Sequence, residues 1–136
     1  MGNVDTVKAL YDAFATGDVP AVLNAMDPAI RWNEAEGVPY GQGGGEPWIG
    51  PDAVAQNLFA RLGAEWSPFV VTPQRLYGDG DSVVVEGRYT GKFNATGADL
   101  DAQFCHVFKV ADGKITSFQQ YTDTAQFQKV MNAVPV

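Results

Sequence analysis

Residues 99–122 read DLDAQFCHVFKVADGKITSFQQYT, and this stretch decides the fold. Phe104, His106, Phe108 and Val110 alternate with Cys105, Val107 and Lys109, so residues 99–110 are predicted to form a strand with one apolar face. That face carries the chain's single histidine. Asp112-Gly113 is the strongest hairpin signal present, because a two-residue turn of this kind needs positive φ at both central positions. It joins the first strand to a second over residues 115–122, where Phe118, Gln120 and Thr122 share a face.

Moving toward the N-terminus, a valine-rich strand is predicted over residues 82–90, after the turn Gly78-Asp79-Gly80-Asp81. Residues 69–76 are extended, and Pro73 marks them as an edge. Residues 91–97 read as a turn. Val4, Val7, Leu10, Tyr11 and Phe14 recur at helical spacing, which predicts a helix over residues 4–16 ended by Gly17. Asp18 is placed to cap a second helix with Pro20 in its first turn, and Asp27-Pro28 stops it. Ile30, Trp32 and Glu34 then alternate as a strand to about residue 35. Residues 37–51 hold six Gly and three Pro, and so read as a long loop. Asp52 is expected to cap a third helix carrying Val54, Leu58, Phe59 and Leu62, and a short helix should follow Asp123. Helices first and an antiparallel meander afterwards is the α+β pattern, with helices packed on one face of a curved sheet.

The 136 residues are expected to form one domain, residues 1–136. Hydrophobic residues make up 46%, enough for a core, yet no apolar run is long enough to cross a membrane and no signal peptide is evident. Nine Lys and Arg against 16 Asp and Glu give a net charge of -7, which argues against nucleic acid. Cys105 has no partner for an internal disulfide, so a cytoplasmic setting is expected. One histidine cannot build a three-histidine metal site, and phosphate, dinucleotide and zinc-protease motifs are missing. No cofactor and no metal are expected.

Several short motifs in order carry a resemblance. Phe14-x-x-Gly17-Asp18 ends the first helix, Ile30-x-Trp32 opens the first strand, and Gly50-x-Asp52-Ala53-Val54 starts the third helix. Val83-Val84-Val85-x-Gly87 follows Gly80-Asp81, and the run from His106 to Ile115 leads to Tyr121-x-Asp123. Together these resemble the SnoaL-like branch of the nuclear-transport-factor-two-like superfamily, which includes ketosteroid isomerases, polyketide cyclases and limonene epoxide hydrolase. The resemblance implies a cone-shaped barrel, in which a curved antiparallel or mixed sheet wraps about three helices around an internal apolar cavity. It also implies a small hydrophobic ligand and a homodimer formed through the convex face of the sheet.

Two residues stand out as candidates for chemistry. His106 lies in phase with Phe104 and Phe108, and the resemblance places it where ketosteroid isomerases carry the protonated aspartic acid of an oxyanion hole. Glu34 shares a face with Ile30 and Trp32, where burial would raise its pKa and suit it to act as a base. The isomerase base corresponds to Asn33 or to Glu34, depending on a one-residue gap, and only Glu34 can take a proton. Gln120 falls where the cyclases place an acid, and can orient a ligand but not ionise. Tyr11 lies near the isomerase tyrosine, one residue out of register. Trp32, Phe59, Phe104 and Phe118 are expected in the cavity wall, with Tyr40, Trp48 and Trp66 at its mouth. Glu36 reads as a rim charge, Asp123 as a helix cap, and Glu86 and Arg88 as charges of the convex face. The expected activity is a cofactor-independent isomerase or cyclase acting on a hydrophobic carbonyl compound. A non-catalytic ligand-binding protein and a dimeric interaction module remain as alternatives.

Overall fold

A computed structural model describes residues 2–43 and 45–132. Helix α1 (Asn3–Ala15) buries Val7, Leu10 and Tyr11 at the spacing of one helical face. Gly17, at φ 73°, turns the chain out of it, and the Asp18 carboxylate accepts from Ala21 N at the start of α2 (Val19–Asn24). Strand β1 (Met26–Asn33) begins earlier than the sequence suggests and runs through Pro28. Its pairing with β6 (Lys114–Thr122) is parallel and interrupted between Met26 and Arg31, which is where the proline sits.

The Gly- and Pro-rich segment is mostly irregular, but its end forms a two-residue strand β2 (Trp48–Ile49) against β1. Helix α3 (Pro51–Val54), a π-helical turn (Ala55–Phe59) and α4 (Ala60–Glu65) follow without a break. Asp52 does not cap this helix. Gly50 occupies the cap position at φ 88° and Asp52 lies in the first turn, where its charge still suits the helix dipole.

Three long strands then complete the sheet: β3 (Trp66–Asp79), β4 (Ser82–Phe93) and β5 (Asp99–Ala111). Gly91 belongs to β4 rather than to the turn after it, because its missing side chain lets Pro68 O approach across the ladder; a Cβ there would sit 2.5 Å from that oxygen. Asp112 and Gly113 have φ of 51° and 75°, the pair of positive values that a tight hairpin requires. The sheet order is β2-β1-β6-β5-β4-β3, antiparallel except for β1 with β6. It is curved and unclosed, with β3 at one edge as Pro73 predicts. Helix α5 (Thr124–Met131) starts at Asp123, whose carboxylate accepts from Gln126 N.

The inner face of the sheet is read directly from strand alternation. Val83, Val85, Gly87 and Tyr89 of β4 point inward, as do Phe104, His106, Phe108 and Val110 of β5. Glu86 and Arg88 point outward, bonded to Tyr77 and Asp101. Gly87 pairs with Phe104, and a Cβ on it would lie 2.5 Å from that ring and 2.3 Å from Thr72 O. Only glycine fits there.

Candidate active site

The strand registers bring three polar side chains to the inner face, and helix α1 adds a fourth. Gln120 of β6 lies opposite His106 of β5, two pairs along from Phe118 opposite Phe108. Tyr89 reaches His106 along β4 from the position paired with Ala102. Helix α1 lays Tyr11 over the same imidazole. Tyr11, His106 and Gln120 are 8%, 4% and 5% exposed, so their hydrogen bonds must be met inside the protein.

A backbone group sets the direction of two of those bonds. The Ala35 N–H can only donate, so the Gln120 atom facing it at 3.0 Å is the carbonyl oxygen Oε1. The Gln120 amide nitrogen therefore points the other way and donates to Tyr89 Oη at 2.8 Å. Tyr89 Oη in turn is bonded to His106 Nε2. A hydroxyl oxygen that accepts from Gln120 can still accept once more, so this contact fits a neutral ring protonated on either nitrogen. Burial holds the His106 pKa well below its ordinary value, so the imidazole is neutral. Its other nitrogen, Nδ1, lies 2.6 Å from Tyr11 Oη and is hydrogen-bonded to it. Burial raises the pKa of both Tyr11 and Tyr89, so both hydroxyls stay protonated.

Rings lock this chain in place. Phe104 stacks on His106 with centroids 4.0 Å apart, and Phe118 meets it edge-on at 4.7 Å. Trp32 in turn stacks on Phe118 at 3.8 Å, which aims its indole N–H at Glu34 Oε2, 3.1 Å away. Glu34 lies just past the end of β1, yet it keeps the inward phase of Ile30 and Trp32 and is 6% exposed. Burial pushes its pKa up to about 7, and the Trp32 hydrogen bond offsets only part of that.

Tyr11, Trp32, Glu34, His106, Phe118 and Gln120 all line one pocket, whose remaining walls are mostly apolar. Phe59 and Tyr40 line it as well. Its free space is about 60 Å³. Three residues expected at the site, Phe104 in its wall, Trp48 at its mouth and Asn33 as the alternative to Glu34, do not line it. Phe104 sits behind the imidazole, and Asn33 points to the other face of β1, where it donates to Gln119 Oε1. Trp48 is tied to the loop by its indole donor on Tyr40 O. Trp66 donates to Tyr40 Oη, which itself donates to Glu65 and so fastens the loop to α4. Tyr89 is the residue that sequence reading missed, although the alternation from Val83 already pointed it inward. Among the described residues, no group of three or more His, Cys, Asp or Glu side chains is placed to share a metal ion.

The same architecture recurs in solved structures. An NTF2-like protein from Burkholderia thailandensis is 32% identical, with 97% of this chain and 98% of that one covered and a TM-score of 0.91. An NTF2-like protein of unknown function from Burkholderia pseudomallei is 29% identical, with 98% and 100% covered and a TM-score of 0.86. TerC, co-crystallised with polyporic acid, is 25% identical over 96% of this chain and 98% of its own, with a TM-score of 0.84. No curated protein matches. Residues 7–118 match the SnoaL-like domain, and the chain belongs to that family.

Proposed function

We propose that the protein is a cofactor-independent enzyme of the isomerase or cyclase type, acting by acid–base chemistry on a hydrophobic carbonyl compound. One observation carries this reading: a buried carboxylate with a pKa near 7 shares an apolar pocket with a tyrosine hydroxyl held by a neutral imidazole. A base with a pKa near working pH is half ionised there and strong enough to be useful. Glu34 as carboxylate takes a proton from the carbon next to the carbonyl. Tyr11 donates to the oxygen as it gains negative charge, in a pocket where such a bond is worth more than in water. His106 contacts both tyrosines and acts as a positioning residue: with its proton on Nδ1 it donates to Tyr11 Oη and leaves the Tyr11 hydrogen for the substrate oxygen. Return of the proton from Glu34 to another carbon completes an isomerisation. Attack of the enolate carbon on a second carbonyl within the same molecule completes a cyclisation, with the proton passing to the new alkoxide.

The TerC structure supports a small-molecule ligand, since that relative was co-crystallised with an organic acid. The outer face of the sheet, with Tyr121 57% and Tyr77 47% exposed, suits pairing of two copies, and sedimentation at rising concentration tests this.

The reaction is tested by hydrogen–deuterium exchange next to the carbonyl of methyl alkyl ketones in heavy water, followed by NMR. Exchange faster than in buffer, lost in Glu34→Gln, is the expected result. Exchange that is equal in the variant overturns the assignment of the base.

A second reading, a ligand carrier without catalysis, is favoured by Gln120. This residue stands where an acid would serve a cyclase, and both ends of its amide are committed to Ala35 and Tyr89. Tight ketone binding with no exchange at any pH selects it.

A further inference from the structure

A second hollow opens directly outside the pocket, and five residues, Phe14, Val22, Phe59, Leu62 and Phe69, line both. Phe14 of α1 and Phe59 of the π-helical turn stand between the two, with ring centroids 5.6 Å apart. The outer hollow holds about 230 Å³, against about 60 Å³ for the inner one. A dry cavity that accepts benzene measures roughly 150 Å³ on such a scale, so the inner pocket as packed takes only a small head group.

The chemistry of the two hollows differs as sharply as their size. The ionisable and directed polar groups, Glu34 and Tyr11, are all at the inner end. The outer wall adds Gly17, Val19, Gly63 and Trp66. None of these is charged, and the one side-chain donor among them, the Trp66 indole N–H, is already given to Tyr40 Oη. Gly17 and Gly63 line it without side chains, and a Cβ built on either meets nothing within 4 Å.

We propose that the outer hollow is a subsite for the apolar tail of the compound whose carbonyl head lies between Glu34 and Tyr11. The substrate class is then a small-headed carbonyl compound carrying a hydrocarbon tail, with the Phe14 and Phe59 rings, in contact in this structure, parting to admit the tail. The position of the head rests on the proposed function; the tail site rests on two adjoining hollows with a shared wall.

The probe is a series of methyl n-alkyl ketones from 2-hexanone to 2-dodecanone, titrated calorimetrically. In the native chain, affinity should rise roughly three- to fourfold per added methylene until the outer hollow is full, as burial of each CH₂ from water predicts. Gly63→Leu adds a large apolar side chain at a lining position of the hollow, within a helix where leucine is favoured over glycine, so the fold is kept. There the affinity ratio of long to short ketones should fall at least tenfold. A series with no chain-length dependence, an unchanged ratio in Gly63→Leu, or no binding by any member overturns the subsite. So does a Gly63→Leu variant that turns a dimer into a monomer with the ratio intact, since a second copy then covers the hollow. Deuterium exchange in the same samples separates this proposal from the proposed function. Chain-length dependence without exchange leaves the subsite standing and removes the reaction; exchange without chain-length dependence does the reverse.

Discussion

Tyr11 Oη lies 2.6 Å from His106 Nδ1, and Tyr89 Oη bonds the other nitrogen of the same ring. The proposed mechanism needs the hydrogen of the first bond on the imidazole, with Tyr89 donating to Nε2. The histidine therefore touches two tyrosines, and the group it presents to the pocket is another residue's hydroxyl.

Because the chain has one histidine, this tautomer can be read without assignment ambiguity. Nitrogen-15 NMR of His106 should show a neutral ring with a pyrrole-like Nδ1 and a pyridine-like Nε2. In Tyr89→Phe the donor to Nε2 is lost, so the tautomer preference should weaken or invert. A native ring protonated on Nε2 contradicts the proposed mechanism.

Removing the terminal donor should cost rate far more than stability. Tyr11→Phe is expected to slow deuterium exchange about 10²- to 10³-fold, the loss seen when one oxyanion donor is deleted. It should destabilise the fold by only about 1–3 kcal/mol, from an unpaired His106 N–H. Gln120→Leu breaks the chain at its origin and should slow exchange less, with Glu34 still present.

Glu34 and His106 make opposite contributions to stability as pH changes. Glu34 has its pKa raised from 4.5 to about 7, so the folded state holds an extra proton across that window, and stability falls as pH rises through it. His106 has its pKa lowered from 6.5, so the unfolded state holds the extra proton below 6.5, and stability falls as pH drops. Just below pH 6.5 the two slopes, about 1.4 kcal/mol per pH unit each, oppose one another. Urea titrations of Glu34→Gln should show stability rising with pH up to 6.5. His106→Phe should show stability falling with pH up to about 7. The Glu34 burden at pH 8 is on the order of 3 kcal/mol, so Glu34→Gln should be more stable than the native chain there.

Gly87→Ala should destabilise by about 1–3 kcal/mol, more if the sheet cannot spread, because its Cβ meets a backbone oxygen, Thr72 O, as well as the Phe104 ring. The loss in urea midpoint should be accompanied by a changed His106 NMR signal, since Phe104 stacks on that ring.

The hairpin at Asp112-Gly113, the inward phase of His106 and the edge position of Pro73 were legible in the sequence because each depends on local backbone chemistry. Strand β2 was not, since two residues in a glycine-rich loop carry no periodicity and pair only because β1 offers an edge. The neighbourhood of Glu34 was legible only in phase. Whether a residue at a strand end is buried depends on what covers it, and here the covering loop is held by Tyr40, bonded to Trp66, Trp48 and Glu65. Tyr89 was visible in the alternation of β4. Its partnership with His106 was not, because it runs diagonally past the Gly87–Phe104 pair rather than between directly paired residues.

The pH dependence of ketone deuterium exchange tests the central claim, that Glu34 is the base, most directly. The rate should rise with pH through a half-point near 7, following ionisation of Glu34, and Glu34→Gln should lose both the rate and the inflection. A rate with no inflection near 7, or the same profile in Glu34→Gln, contradicts the account.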